Sequence, residues 1–362
     1  MNVLALVPYP EAAASTRFRL VQLLPRLRAA GIEVAVRPFL DPATYGSLYD
    51  RRAAGRTCLG LLRGAARRVG DVVRARRADA VLVLREAMIL GPPVVEMLST
   101  AVGRCPLVLD LDDPTWVGYD SPTYGAWGRA FKWPGKALTL IDRASVVTCG
   151  SRAVADFVTG RGGRAVVVPP VVDTDSFRPR PPGRLAGGLP VVGWIGTHST
   201  APYLQQIAPT LAAVARTHPF RLRVVGARPA TVAVPGVAVE SLDWSLPSEP
   251  QDFASLDVGL YPLPDDDRWA AGKAGLKSVQ YLACGVPFVA SPVGGAAELG
   301  VAGRTHLLAA SPEEWRQALT TLLADETARA GMADCGRQHA LAHHTTDIGG
   351  ALLAGALRSA IA

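Results

Sequence analysis

Short Val- and Leu-rich runs alternate along the chain with longer segments whose apolar residues recur every three or four positions. The runs lie at 3–8, 32–36, 80–84, 106–111, 145–149 and 165–170, and the spacing at 16–30, 57–77 and 151–159 predicts helices between them. Strands apolar on both faces belong to a parallel sheet covered on both sides. At 171–190 the segment VVDTDSFRPRPPGRLAGGLP interrupts the rhythm with Pro, Gly and Arg and reads as a linker. The alternation then restarts. Strands are predicted at 190–196, 220–226, near 237–240, 258–263 and 287–291, and helices at 201–217, at 274–284 and from 312 onward. The predicted class is α/β: two doubly wound Rossmann-like domains, 1–182 and 183–362, facing each other across a cleft, with the last helix free to cross back to the first domain. Ligands in such sheets sit beyond the carboxyl ends of the strands, so the strand ends are where chemistry is sought.

Composition narrows this picture. At ~150 residues per domain, 362 residues make about two domains, and 49% hydrophobic with 19% charged residues suffices for two cores. No run approaches the ~20 apolar residues of a membrane span, and MNVLALVPYP lacks the basic segment and long apolar run of a secretion signal. Cys58, Cys105, Cys149, Cys284 and Cys335 are widely spaced without a CxxC, which argues against a disulfide framework or structural zinc and for a cytoplasmic setting. Residues 1–182 carry an excess of nine basic side chains and the remainder an excess of two acidic ones. That asymmetry fits an anionic partner or acidic membrane surface, or simply an arginine-rich composition, since only four of the 38 basic residues are lysine (Lys132, Lys136, Lys273, Lys277). Residues 51–77 hold nine Arg and one Asp around Leu62, Ala66, Val69 and Val73 at helical spacing. Such a helix can lie on an anionic bilayer, peripherally on the inner membrane face, or pack its stripe on the sheet.

Four strand ends carry candidate chemistry. After the first strand, Ser15 can cap a helix whose first turn holds Arg17 and Arg19, an arrangement able to receive an anion or a hydroxylated acceptor; it is not a GxGxxG fingerprint. Asp110, Asp112 and Asp113 end another strand, with Asp110 and Asp112 expected on one face; they read as an acceptor-side polar rim rather than a metal site. Gly196-Thr197-His198-Ser199-Thr200 follows strand 190–196 as a turn whose N–H groups can cradle phosphate, His198 adding a donor. Most informative is Gly272-Lys273-Ala274-Gly275-Leu276-Lys277-Ser278-Val279-Gln280. Gly275 permits close backbone approach at a helix start, and Lys273 and Lys277, four apart, are expected on one helix face around a diphosphate. Gln280 and Glu298 can each reach a ribose hydroxyl, Glu298 alternatively capping a helix. Trp194, Trp244 and Trp269 either line a cleft or belong to cores. His339, His343 and His344 read as a solvated terminal helix rather than a metal site. All six histidines lie at 198 or later, so no Ser-His-Asp arrangement can form in the front domain.

These pieces together resemble the retaining GT-B glycosyltransferases often called family 4. The resemblance rests on VVGWIGTHST, LDVGLYPLP, GKAGLKSVQYLACGVPFVASPVGGAAEL and EEWRQAL in the back half, and on REAMILGPPVVE followed by PLVLDLDDPTW in the front half. It implies a nucleoside-diphosphate sugar held by the back domain, an acceptor held by the front domain, retention of configuration, and neither metal nor other cofactor. By position, Gly275 and Leu276 offer N–H groups to the diphosphate, Lys273 and Lys277 neutralise it with His198 assisting, and Gly196, Thr197, Gln280 and Glu298 complete the donor side. Ser15, Arg17, Arg19, Asp110, Asp112 and Asp113 face the acceptor, a small molecule, glycan or lipid-linked sugar. The family's E-x7-E signature is replaced by Gly272 and Gln280, matching a K-x3-K-x2-Q-Y-x-A-x-G-x-P variant. Loss of both acids leaves open a catalytically silent nucleotide-binding partner module, and an epimerase or hydrolase of sugar nucleotides is the other alternative. No nucleic acid is implied.

Overall fold

The computed structural model describes residues 1–48, 50–118, 133, 135–181, 188–227 and 231–362. Its contacts divide the chain into two compact units. The first comprises Met1–Pro170, Gly272–Ala274 and Thr346–Ala362; the second comprises Val171–Ala271 and Gly275–Thr345. The expected boundary at 182/183 lies at residues 182–187, outside the described residues.

The first unit holds a parallel sheet of β1 (Asn2–Val7), β2 (Glu33–Pro38), β3 (Ala80–Leu84), β4 (Leu107–Leu111), β5 (Val146–Cys149) and β6 (Ala165–Val167) in the order β2-β1-β3-β4-β5-β6. β3, β4 and β5 are buried throughout, as continuous apolar runs require. The second unit repeats the plan with β7 (Val191–Ile195), β8 (Arg221–Val225), β9 (Ala238–Leu242), β10 (Val258–Tyr261), β11 (Phe288–Ala290) and β12 (Leu307–Leu308), ordered β12-β11-β10-β7-β8-β9. Strand order reverses between β1 and β3 in one sheet and between β7 and β10 in the other, the two positions where doubly wound sheets open a crevice. The two-residue strand β12 was not among the predicted strands; it is too short to leave a periodic signal.

Several expected helices are interrupted. The 16–30 segment forms Ala14–Arg19 and Leu24–Ala29, broken at Leu20, and Pro25 starts the second piece because it needs no intrahelical N–H partner there. Pro209 likewise starts a separate Ala208–Ala215 helix after Ala201–Gln206. The 171–190 stretch is not a loose linker in its described part. Val171 and Val172 are buried, Phe177 meets Phe253 edge-on with centroids 6.1 Å apart, and Arg180 pairs with Asp257 at 2.6 Å. The last helix, Thr346–Ile361, packs within the first unit, where Asp347 pairs with Arg26 and Arg358 donates to the Ala30 carbonyl at 2.6 Å.

Candidate nucleotide-sugar site

In the second unit the switch point is built around glycines that let larger groups come close. Gly259 on β10 leaves room for the Tyr281 ring, whose edge lies 2.6 Å from where a Cβ would stand. Tyr281 also donates its hydroxyl to the Leu260 carbonyl at 3.1 Å, seating the Leu276–Ala283 helix on the sheet. Its phenol is buried, and that burial pushes its pKa up. Lys277 lies one turn before Tyr281 and so shares its face of the helix. Its Nζ stands 5.3 Å from the Trp194 ring centroid and 5.3 Å from that of Tyr261. The sheet's own aromatics thus hold the ammonium at the carboxyl ends of β7 and β10 by cation–π attraction. Trp194 is core, with its indole under Gly196: a Cβ there would fall 2.3 Å from the ring. Beyond Gly196, Thr197 N–H donates to Thr200 Oγ1 at 3.3 Å and Thr200 N–H to the Thr197 carbonyl at 3.0 Å, closing a turn that leaves His198 half-buried.

The helix enters through Gly275, at φ +81°, a left-handed conformation that suits glycine. A Cβ there would lie 2.7 Å from the Gly295 carbonyl carbon, so the turn before this helix interlocks with the Gly294–Gly295 turn after β11. Helix starts present N–H groups without intrahelical acceptors. At the far end, Arg337 donates to the Ala283 carbonyl at 2.7 Å, a cation placed where the helix dipole favours one.

Three donor-side expectations change. Lys273 and Lys277 do not share a helix face, because the helix begins only at Leu276; Lys273 lies in the Gly272–Ala274 stretch of the first unit, where Ser151 Oγ donates to the Gly272 carbonyl at 3.2 Å. Gln280 is buried rather than presented to solvent, its amide donating to Glu249 Oε1 at 3.2 Å. Glu298 is exposed at the end of the short Gly295–Glu298 helix, and Gly294, not Glu298, occupies the cap. Glu249 and Tyr261 were not foreseen as site residues: no spacing ties position 249 to position 280, and Tyr261 reads as one more strand residue. Trp244 is exposed and Trp269 half-buried.

In the first unit the acidic strand end is joined to the REA segment. Arg85, at φ +56°, donates to Asp112 Oδ2 at 2.8 Å and to Asp113 Oδ2 at 2.5 Å. Burial opposes ionisation of Asp112, yet the Arg85 charge and hydrogen bonds and the Arg19 charge outweigh it and lower its pKa. Glu96, whose pKa burial raises, accepts from the Ala87 N–H at 2.8 Å, and Lys136 reaches Glu86 at 3.0 Å. Arg19 and Asp110 depart from the expected polar rim. Both are buried in a two-pronged pair (3.0 and 2.6 Å), Thr148 Oγ1 donates to Asp110 at 2.6 Å, and Arg19 also reaches the Val168 carbonyl. Asp110 and Asp112 therefore serve different arginines. Ser15 does not cap its helix: the cap position is Ala13, without a side-chain bond, and Ser15 lies half-buried one residue inside. Arg17 stacks its guanidinium on Phe18 at 4.5 Å.

The histidine-rich terminal helix is not fully solvated. His344 is buried, with His339 5.5 Å away centroid to centroid. Among the described residues no cluster of three or more His, Cys, Asp or Glu side chains is placed to hold a metal.

With two six-stranded parallel sheets and this switch-point geometry, the chain has the GT-B fold. Residues 189–325 match the family model for glycosyl transferases group 1. D-inositol 3-phosphate glycosyltransferase from Corynebacterium urealyticum is 28% identical over 233 residues, 56% of this chain and 54% of the relative. The chain thus matches about half the length of that curated relative. Among solved structures, Anabaena HepE in complex with UDP-glucose superposes with TM-score 0.70 at 19% identity, covering 99% of this chain and 100% of that one. Sucrose-phosphate synthase from Thermosynechococcus elongatus gives TM-score 0.70 at 16% identity, covering 99% and 98%. At these identities the likeness is one of fold.

Proposed function

We propose that the protein is a glycosyltransferase that moves a sugar from a nucleoside-diphosphate sugar to an acceptor, with retention of configuration and without metal or other cofactor. The observation that carries this reading is the Lys277 ammonium held over Trp194 and Tyr261 beside the Gly275 turn. The match of 189–325 to group 1 glycosyl transferases and the likeness to a fold that holds UDP-glucose in the Anabaena protein support the donor class. When the glycosyl bond breaks, its electron pair goes to the diphosphate oxygen while the anomeric carbon becomes cationic. A cation and helix N–H dipoles already oriented at that oxygen stabilise the charge without reorganising. In a front-face reaction the departing phosphate oxygen takes the acceptor's proton. His198 then assists as a donor, Gln280 is held by Glu249 near the donor's ribose, and Ser15, Arg17, Asp112 and Asp113 serve the acceptor side of the first unit. Arg19 and Asp110 position that side from within.

Removing one such contact typically lowers turnover roughly 100- to 1000-fold, or ~2.7–4 kcal/mol. Lys277→Ala is expected to lower kcat/KM with a sugar-nucleotide and acceptor panel by that amount, while Lys277→Arg retains part of it. Unchanged turnover and unchanged donor binding in Lys277→Ala would overturn the assignment. Lys273→Ala, measured beside it, tests whether the loop lysine acts on the donor. Product analysis with and without acceptor separates transfer from epimerisation or hydrolysis.

A further inference from the structure

The helix Ala54–Arg74 is turned inside out relative to an ordinary surface helix. Its inward face is glycine, threonine and charge: Gly60 lies against Thr44, Gly64 against the Phe39 carbonyl, and Arg68 and Asp71 are buried. Arg68 donates to the carbonyls of Val7, Arg37 and Ala87 and to Asp71, tying the helix to the ends of β1, β2 and β3. With the inner face so occupied, the apolar stripe points outward: Leu59 is 48% exposed, Leu62 64%, Val69 69% and Val73 54%. The neighbouring helix Val94–Gly103 adds exposed Val94 and Leu98. Exposed Arg56 and Arg63 and half-buried Arg67 recur along the adjoining edge, Arg67 donating to the Phe39 carbonyl at 2.8 Å and standing 4.0 Å from Asp41, and the one acid of residues 51–77, Asp71, is buried among Arg37, Arg68 and Arg74. The outward face therefore presents branched apolar side chains and guanidinium groups with no carboxylate of its own helix.

We propose that this face docks the first unit onto an anionic phospholipid surface, with Leu59, Leu62, Val69 and Val73 entering the headgroup boundary and the arginine row pairing with lipid phosphates. Charge complementarity selects this occupant: an apolar stripe of a protein partner would need carboxylates to meet the arginines, whereas an anionic bilayer supplies apolar depth and negative charge together. The helix, about 31 Å long at 1.5 Å per residue, lies flat rather than spanning; no described helix is long and apolar enough to cross a membrane. The inference stands independently of sugar transfer.

The test is flotation of the full chain with phosphatidylcholine vesicles, with or without about one third phosphatidylglycerol, at about 50 mM and about 0.5 M NaCl, across which the Debye length shortens severalfold. The protein is expected to float with anionic vesicles at low salt, to stay behind with neutral ones, and to be released by high salt. Arg56→Gln/Arg63→Gln should weaken association roughly thirtyfold, at about 1 kcal/mol per arginine. Leu62→Asp/Val69→Asp should abolish it while leaving circular dichroism and the nucleotide-induced thermal shift intact, since both side chains are exposed. No flotation on anionic vesicles, equal flotation on neutral ones, or full binding by Leu62→Asp/Val69→Asp would overturn the proposal. A chain that ignores vesicles but runs as a dimer that Leu62→Asp/Val69→Asp splits would give the face to a second copy and overturn it as well.

Discussion

Lys277 shows how a single residue's setting depends on what lies beneath it. Its charge was visible in the sequence, but the two rings that hold it were not, because Trp194 and Tyr261 arrive from different strands and read as core. Gln280 shows a setting the sequence hides: its amide donates to Glu249, a partner 31 residues away that no spacing reveals. His306 carries no signal in the sequence that sets it apart from the other histidines. It is buried, stacked on Phe288 at 4.9 Å, with Nδ1 2.9 Å from Thr305 Oγ1 and no partner for Nε2 among the described residues. Burial, with a smaller contribution from His339, depresses its pKa from 6.5 to about 4. The folded imidazole thus stays neutral while the unfolded one takes up a proton. Stability should be full above pH ~6.5 and fall as pH drops towards ~4, by at most about 3 kcal/mol. Urea titrations of wild type and His306→Phe across this window check it: the variant's profile should be flatter, and identical slopes would contradict the account.

Elements carry what single residues cannot. The continuous apolar strands were legible because a parallel sheet buries both faces, and most run within a residue or two of their expected bounds. Helix interruptions were less so: Leu20 and Ile207 end helices inside unbroken periodicity, and only the prolines nearby hinted at it. The Ala54–Arg74 helix was legible as amphipathic but not in its direction, since Arg68 looks like any surface arginine until its carbonyl partners are known. The Leu276–Ala283 helix depends on its entry glycine. Gly275→Ala forces a side chain into a left-handed backbone against Gly295. About 1–3 kcal/mol of strain is expected, read as a lower Tm together with weakened nucleotide binding; a variant with unchanged Tm and affinity would mean the turn is not so constrained. The Arg19–Asp110 tie between the first helix and β4 is open to a parallel experiment. Asp110→Ala leaves a buried guanidinium uncompensated and should lose about 3–5 kcal/mol in denaturant unfolding. Arg19→Met/Asp110→Ala should lose less than the sum of the two single variants, and simple additivity would argue against a coupled pair.

For the whole molecule, two sheets of the same plan explain why the chemistry clusters where it does. In each unit the strand order reverses once, and in each the polar and glycine-rich loops gather at that reversal: Arg85, Asp112 and Asp113 in the first, Gly196, Lys277 and the two glycine turns in the second. The plan was legible from periodicity, and the proposed donor class rests on one 27-residue stretch; the ion pairs that hold the first unit's loops depend on residues far apart in sequence and were not legible. The reading that unites these features is that Lys277 and the Gly275 turn receive a nucleoside diphosphate. The most direct measurement is calorimetric titration of UDP, GDP and dTDP into wild type and Lys277→Ala. One of the three should bind wild type and lose roughly tenfold to a hundredfold in affinity in the variant, the worth of a charged hydrogen bond. Equal affinity in the two proteins, or no binding of any of the three to wild type, would contradict it.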